Sequence, residues 1–270
     1  MRTPAIPDLT GRTMVVTGAN TGIGLETAVA LAGAEASVVM TARSRAKGEA
    51  ALAEVRRRTG SGRIELGDLD LASLASVRAF AAWFLDTHDR LDVLVNNAGL
   101  ITDARTETAD GFELMIGTNH LGHVLLTDLL LDRLVASAPA RVVVVASAVH
   151  RLALGGLRRD DLQSTRRFSG FLTYSRSKLA NVLFAAELAR RLDGTGVVVN
   201  SVHPGSVNSH FGGDGDTGAL GWLIGRFGRF VLIPPERGAR TVVLLAASDD
   251  PRYAGRSEEH TSELQSHTEI

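Results

Sequence analysis

The sequence contains no cysteine among its 270 residues. Disulfide bridges, cysteine-based zinc sites and thiol nucleophiles are therefore excluded. Lysine is almost as scarce, since Lys47 and Lys178 are its only occurrences and nearly all positive charge is carried by arginine. Tyrosine also occurs only twice, at Tyr174 and Tyr253. Each of these rare side chains is therefore informative when it falls within a motif.

The chain also has no excess of charge of either sign and no long hydrophobic run. Its 29 basic and 30 acidic residues give a net charge of −1, so no basic face for nucleic acid is indicated. The longest apolar run, residues 142–149 with Ser147 inside it, is shorter than the roughly 20 residues that cross a bilayer, and the first residues lack the apolar core of a signal peptide. We expect a cytoplasmic protein that acts on a small molecule, without a nucleic-acid partner or a membrane span.

Short apolar, β-branched runs alternate with helical patterns along the chain, which is typical of right-handed βαβ units. We predict strands near 13–17, 37–41, 64–66, 91–95, 141–145 and 197–202. We predict helices at 22–34, 44–59, 73–87, 173–192 and 235–247, with a long helical region running from residue 100 to about 136. This order indicates one α/β domain, a Rossmann-type doubly wound parallel sheet with helices on both faces.

A glycine-rich segment with aromatic residues spans 209–233. Apolar side chains on such a backbone suit a lid over an apolar ligand. A loosely packed surface insertion is the alternative interpretation.

Residues 17–24 read Thr-Gly-Ala-Asn-Thr-Gly-Ile-Gly, where the first strand passes into the first helix. Glycines allow the tight turn and the close backbone approach that a diphosphate needs at a helix N-terminus. The spacing differs from the G-x-G-x-x-G fingerprint, and an isolated glycine turn can simply cap a helix.

The spacing resembles the T-G-x-x-x-G-x-G motif of the short-chain dehydrogenase/reductase superfamily, and further motifs follow in order from Leu9 to Gly255. The resemblance is closest to the retinol-dehydrogenase-like members. It implies an oxidoreductase that transfers a hydride between a nicotinamide cofactor and a carbonyl or alcohol. It also implies that the residues around the cofactor's phosphates and ribose are Gly18, Asn20, Thr21, Gly22, Ile23 and Gly24.

Arg43 follows the predicted second strand, where an NAD-selective enzyme carries an acidic side chain for the ribose 2′-hydroxyl. A guanidinium pairs well with the 2′-phosphate of NADP. We therefore predict a preference for NADP(H), with NAD(H) as a weaker alternative. The competing interpretation is that Arg43 is one of many surface arginines.

Three further segments follow strands and resemble cofactor contacts of the family. Asp70-Leu71 resembles the pair against the adenine, with Asp68-Leu69 as an alternative frame. Residues 96–99 match the Asn-Asn-Ala-Gly motif, and residues 203–209 resemble the Pro-Gly segment near the nicotinamide, with serine where threonine is common. The residues implied are Asp70, Leu71, Asn97, Ala98, Gly99, Pro204, Gly205, Val207 and Ser209.

Tyr174 and Lys178 lie four residues apart on a predicted helix, which places both on one face. A tyrosine with a reference pKa of about 10 is a poor proton carrier at neutral pH, and a neighbouring ammonium favours the phenolate. We therefore predict that Lys178 lowers the pKa of Tyr174. The resemblance implies that Tyr174 is the general acid in reduction, and that Lys178 also binds the nicotinamide ribose.

Ser147 closes the predicted fifth strand, at the sheet edge where open α/β folds bind ligands. The resemblance implies that Ser147 orients the substrate oxygen; a helix-capping or turn role is the alternative interpretation of this serine. The resemblance also implies that Asn119 supports a water in a relay toward Lys178. His120 and His123 beside Asn119 suggest a metal pair, but without an acidic or cysteine partner we favour a structural role and predict no metal site.

Two alternatives stay open for function: a non-catalytic NADP(H)-binding regulator on the same fold, and a related reaction such as double-bond reduction or epimerisation. The apolar lid favours a small to medium, hydrophobic aldehyde, ketone or alcohol as substrate.

Residues 256–270 have no periodic apolar face and resemble the translation of a sequencing-library adapter. We expect residues 1–255 to form the domain and the tail to be artefactual. The family's seventh strand would then be missing, which would leave a bare sheet edge and remove a contact available to a homo-oligomer.

Overall fold

A computed structural model describes residues 6–205 and 233–248 of the chain. Its six strands are β1 (Thr13–Val16), β2 (Ser37–Ala42), β3 (Ile64–Asp68), β4 (Val93–Asn96), β5 (Ala140–Val145) and β6 (Val197–Val202). All pair in parallel, in the order β3-β2-β1-β4-β5-β6. The doubly wound α/β sheet predicted from the alternation is confirmed.

In the described parts of the chain, six helices cover the two faces of the sheet. They are α1 (Gly22–Gly33), α2 (Arg45–Thr59), α3 (Leu74–Thr87), α4 (Leu114–Ala136), α5 (Gly170–Arg191) and α6 (Pro235–Ala247). A π-helical turn, Gly117–Leu121, interrupts α4, and a short 3₁₀ helix, Ala148–Leu152, follows β5.

The strands bury both of their faces, because alternate residues point into two separate cores. Met14 and Val16 of β1 pack with α1, α2 and α6, whereas Val15 between them packs with α3, α4 and α5. Continuous β-branched runs such as the four valines of β5 suit this two-sided burial. The packing holds the carboxyl ends of all six strands at one edge.

The helical region predicted from residue 100 was wrong in its first part. Residues 100–113 form an irregular segment, and α4 begins at Leu114, where the Glu113 carboxylate accepts hydrogen bonds from the Met115 and Ile116 amides. A capping carboxylate satisfies N–H groups that would otherwise be orphaned at the helix start. Burial raises the pKa of Glu113, partly offset by these two hydrogen bonds.

Within the described ranges, α4 is long and apolar enough to span a membrane by length and composition alone. In the fold, 56% of the most apolar 18-residue stretch of α4 is buried, and the helix packs against α3. The predicted lid falls outside the described residues except for Ile233, and the tail and seventh strand fall wholly outside them.

Candidate active site

The loops that follow β1, β4 and β5 meet where the strand order reverses. This switch point is where open α/β sheets bind their ligands. The glycine turn follows β1, the Asn-Asn-Ala-Gly segment follows β4, and Ser147 follows β5. Most of the residues predicted from sequence therefore lie at one edge of the sheet.

The glycine turn needs glycine for conformation and for space. Gly18 has φ +62°, and a Cβ added to it would lie 2.8 Å from the Ala98 Cβ. A Cβ on Gly24 would lie 2.4 Å from the Gly18 carbonyl oxygen and 2.5 Å from the Asn97 amide nitrogen. The turn thus packs directly on the segment after β4. Because no side-chain hydrogen bond caps the start of α1 at Thr21, the helix N-terminus suits the binding of an anionic group.

Thr17 joins these two loops. Its hydroxyl oxygen accepts the backbone N–H groups of Asn97 and Ala98 at 2.9 and 3.0 Å, and its carbonyl oxygen accepts the Asn97 side-chain amide at 2.8 Å. Gly99 allows two buried side chains to approach the backbone closely, since a Cβ there would lie 3.3 Å from the Lys178 Nζ and 3.4 Å from the Asn119 Oδ1.

Arg43 lies exposed immediately after β2. The glycine turn reaches this strand end because the Ala19 N–H donates to the Thr41 carbonyl oxygen at 3.0 Å. Neighbouring Arg45 binds Glu49 at 2.8 Å and Asp68 at 3.2 Å.

The two acidic candidates for the adenine side have different partners. Asp68 ends β3 and pairs with Arg45. The Asp70 carboxylate accepts the Ala72 N–H at 2.9 Å, and the backbone N–H of Asp70 donates to the Ser76 hydroxyl. Leu71 is buried against α4 at Gly122.

The structure brings Ser147, Tyr174 and Lys178 together beside β5. Ser147 leaves the strand in extended conformation, and its side chain is hydrogen-bonded to the Tyr174 hydroxyl. Lys178 is 2% exposed; its Nζ donates to the Val145 carbonyl oxygen at 3.0 Å and lies 5.7 Å from the centre of the Tyr174 ring. A phenol, an aliphatic hydroxyl and an ammonium group thus share one site.

The pKa of Tyr174 differs from the sequence-based expectation. Burial raises it to about 12, and the hydrogen bond to Ser147 offsets part of this rise. The lowering by Lys178 that we predicted is wrong: burial raises the pKa because removal of water disfavours the phenolate, and the group that lowers it is Ser147. In this state Tyr174 is protonated at neutral pH.

Asn119 lies in the π-helical turn of α4 and is fully buried. Its side chain accepts the Leu100 N–H and donates to the Leu100 carbonyl oxygen and the Ser177 hydroxyl, at 2.8, 2.9 and 3.0 Å. Its backbone carbonyl oxygen accepts from Asn181 and His123 at 3.0 and 3.1 Å. These contacts anchor the loop after Gly99 to α4 and α5.

Sequence reasoning did not identify Thr17, His123, Ser177 and Asn181 as site residues. Their spacing in the sequence could have identified two of them. His123 follows Asn119 by four residues and Asn181 follows Lys178 by three, so each pair lies on one face of a helix. His120 does not pair with His123, since its Nδ1 faces the Asn181 side-chain oxygen at 3.0 Å. The described residues contain no cluster of three or more metal-ligating side chains.

The loop after β6 is described as far as Gly205. Pro204 is buried, and Gly205 has φ +79°, where a Cβ would lie 3.0 Å from Ile233. Val207 and Ser209 lie outside the described residues. Burial lowers the pKa of the adjacent His203, with Arg151 and His150 as smaller causes.

Comparison with known proteins agrees with this geometry. Residues 12–158 match the family model of the short chain dehydrogenases. The chain is similar to human retinol dehydrogenase 12, with 47% identity over 241 residues that cover 89% of this chain and 75% of that protein.

Solved structures show the same similarity. A crystal structure of a protein from Mycobacterium paratuberculosis is 38% identical with a TM-score of 0.72, covering 95% of this chain and 84% of that one. The Pseudomonas aeruginosa RhlG/NADP active-site complex is 28% identical with a TM-score of 0.68, covering 89% and 91%. The chain therefore belongs to the short-chain dehydrogenase/reductase family of oxidoreductases.

Proposed function

We propose that the protein is an NADP(H)-dependent oxidoreductase that interconverts a hydrophobic carbonyl compound and its alcohol. The observation that carries this proposal is the grouping of Ser147, Tyr174 and Lys178 at the end of β5, across the switch point from the glycine turn. Carbonyl reduction requires a proton donor and an orienting hydroxyl beside a nicotinamide site.

The residues fit a nicotinamide dinucleotide. Gly18 and Gly24 let the turn pack directly on the segment after β4, and the start of α1 offers backbone N–H groups to a diphosphate. When bound, the reduced cofactor supplies the hydride. Arg43 supports a preference for the 2′-phosphate, because it is an exposed cation at the end of β2 beside the turn.

In the proposed reduction, Ser147 orients the substrate oxygen by a hydrogen bond and Tyr174 donates a proton to it. The raised pKa of Tyr174 keeps the proton on its hydroxyl until the substrate oxygen gains charge. Lys178 is held in place by the Val145 carbonyl oxygen and adds positive potential beside the ring. Asn119 holds the loop after Gly99 against α4 and α5.

The substrate class is proposed from the relatives and from the sequence. The name of human retinol dehydrogenase 12 supports a long apolar alcohol or aldehyde, and the glycine-rich segment with its aromatic residues suits such a ligand. A panel of aldehydes and ketones of increasing chain length, with all-trans-retinal included, tests the proposal. Product would be measured chromatographically with NADPH and, separately, with NADH.

We expect NADPH-dependent reduction that favours the longer apolar carbonyls and is lost in Tyr174→Phe. Turnover with NADH alone would overturn the NADP(H) assignment. Tight NADPH binding without turnover of any carbonyl or alcohol would instead support a regulatory protein on this fold.

A further inference from the structure

His123 lies on α4 four residues after Asn119 and is buried, with 1% of its surface exposed. Burial lowers its pKa to about 3, with smaller contributions from the charges of Lys178 and His120. The ring is therefore neutral at physiological pH, with one nitrogen as donor and the other as acceptor.

The contacts of His123 assign its tautomer. Its Nδ1 lies 3.1 Å from the Asn119 carbonyl oxygen, which can only accept, so Nδ1 carries the proton. Its Nε2 is then an acceptor and lies 2.9 Å from the Thr17 hydroxyl oxygen, which must donate. The ring thus bridges the start of the glycine turn and the π-helical turn.

The Thr17 hydroxyl proton has two acceptors within reach, and His123 is the nearer of them. Both acceptor positions of the hydroxyl oxygen are used by the N–H groups of Asn97 and Ala98. The other acceptor for its proton is the Val95 carbonyl oxygen, which is more distant at 3.3 Å. His123 therefore directs the hydroxyl proton and leaves the lone pairs facing the segment after β4.

The Asn119 end of the bridge leads to Tyr174. The π-helical turn shifts the backbone pairing so that the Gly122 N–H bonds to the Gly117 carbonyl oxygen, five residues earlier. Within this turn, Asn119 donates to the Ser177 hydroxyl at 3.0 Å, and Ser177 donates to the Tyr174 carbonyl oxygen at 2.8 Å. Side-chain hydrogen bonds thus continue from the glycine turn to the backbone of the catalytic helix α5.

We infer that His123 is a positioning residue that couples the cofactor-binding turn, through Thr17, to the catalytic helix, through Asn119. This inference rests on the proposed function. Through Nε2 the ring holds the loops that bind the cofactor, and through Nδ1 it holds the π-helical turn against α5. The two ring nitrogens therefore serve two separable steps, cofactor binding and turnover.

Two amide substitutions separate these steps. In His123→Asn the amide nitrogen falls near the position of Nδ1 and keeps the donor to Asn119, whereas the contact with Thr17 is lost. In His123→Gln the amide falls near the position of Nε2 and keeps an acceptor for Thr17, whereas the contact with Asn119 is lost. His88, which pairs with Glu65 away from the site, gives the matched controls His88→Asn and His88→Gln.

The dissociation constant for NADPH and kcat at saturating cofactor would be measured for all variants. We expect His123→Asn to weaken NADPH binding about tenfold, the factor expected for one hydrogen bond, with little change in kcat. We expect His123→Gln to lower kcat about tenfold with NADPH binding nearly retained. Equal losses of binding and kcat in both variants, or effects no larger than in the His88 controls, would overturn the inference.

A nitrogen-15 NMR spectrum of the histidine rings in the wild type tests the same bridge if the variants fail to fold. We expect the His123 ring, assigned separately from His120, to be protonated at Nδ1 and not to titrate between pH 7 and about pH 4, as a buried imidazole requires. A His123 ring protonated at Nε2, or one that titrates near pH 6.5, would overturn the inference. Wild-type protein that reduces no carbonyl would overturn the proposed function alone, since the NADPH-binding and NMR measurements need no turnover.

Discussion

The side chain of Ser147 is hydrogen-bonded to the hydroxyl of Tyr174 in surroundings that raise the pKa of the tyrosine to about 12. The two side chains come from the end of β5 and the first turns of α5, so this pair exists only in the folded chain. The hydrogen bond stabilises the phenolate, whereas burial destabilises it more strongly. Tyr174 is therefore set to release its proton only to a group that becomes strongly basic.

Removal of the Tyr174 hydroxyl tests its role as the proton donor. We expect Tyr174→Phe to lose more than about 100-fold in kcat, within the range that general acid catalysis contributes, with NADPH binding retained. Turnover and NADPH affinity would be measured on the same preparation, with Phe184→Leu on the same helix as control. Activity near that of the wild type would contradict the mechanism.

The raised pKa of Tyr174 is measurable because the sequence has only two tyrosines. In a Tyr253→Phe background, ultraviolet absorbance reports the ionisation of Tyr174 alone. With Ser147 present, we expect less phenolate at pH 10 to 11 than for an ordinary tyrosine with a pKa of about 10. We expect still less phenolate in Ser147→Ala, because that variant loses the hydrogen bond that lowers the pKa. Half-ionisation at or below pH 10 would contradict this assignment.

Charge reversal at Arg43 tests cofactor selectivity. We expect Arg43→Asp to lower the ratio of kcat/KM for NADPH over NADH by roughly 100-fold, because a carboxylate repels the 2′-phosphate and accepts a hydrogen bond from the 2′-hydroxyl. Arg45→Asp is the matched control, since it makes the same change of charge two residues away, at an arginine that binds Glu49 and Asp68. An unchanged ratio in Arg43→Asp, or an equal change in the control, would refute the role of Arg43.

Addition of a methyl group at Gly24 tests the glycine turn. A Cβ there would lie 2.4 Å from the Gly18 carbonyl oxygen, a contact that backbone cannot easily relieve. We expect Gly24→Ala to weaken NADPH binding by at least about tenfold as the turn shifts from the segment after β4. Gly62→Ala, where a Cβ meets nothing within 4 Å, should bind as the wild type does; calorimetric titration of both variants makes the comparison.

Acid stability should depend on His123. Its pKa is about 3 in the folded chain, against about 6.5 for an unperturbed histidine, so the unfolded chain binds a proton first as the pH falls. The neutral ring contributes fully to the free energy of unfolding above about pH 6.5, and this contribution is lost as the pH falls toward 3. At about 1.4 kcal/mol per pH unit, the total loss is at most roughly 4 to 5 kcal/mol. The groups that lower this pKa beside burial are Lys178 and His120.

Urea unfolding of the wild type and of His123→Asn at pH 7, 5.5 and 4.5 measures this contribution. We expect the free energy of unfolding to fall more steeply with acid in the wild type, because the amide cannot titrate. Parallel pH dependence in the two proteins would contradict a buried neutral His123.

Much of the fold was predictable because its signals are local. The β-branched runs that became β1, β2 and β5 are apolar on both faces, which specifies strands buried between two helical layers. The helix predicted over residues 100–113 overlooked the turn signal of Asp110-Gly111, where Gly111 has φ +80°. The start of α4 also depends on the Glu113 carboxylate and on Gln163, whose side chain accepts the Glu113 N–H from 50 residues away.

The sequence by itself determined the doubly wound sheet and the positions of Gly18, Gly24, Ser147, Tyr174 and Lys178, because glycine spacing and helical spacing are properties of neighbouring residues. Only the tertiary structure decided the direction of the Tyr174 pKa and the bridge from Thr17 through His123 to Asn119. Both depend on which groups distant in sequence exclude water or meet at hydrogen-bond distance, and the packing of the helices on the sheet sets these contacts.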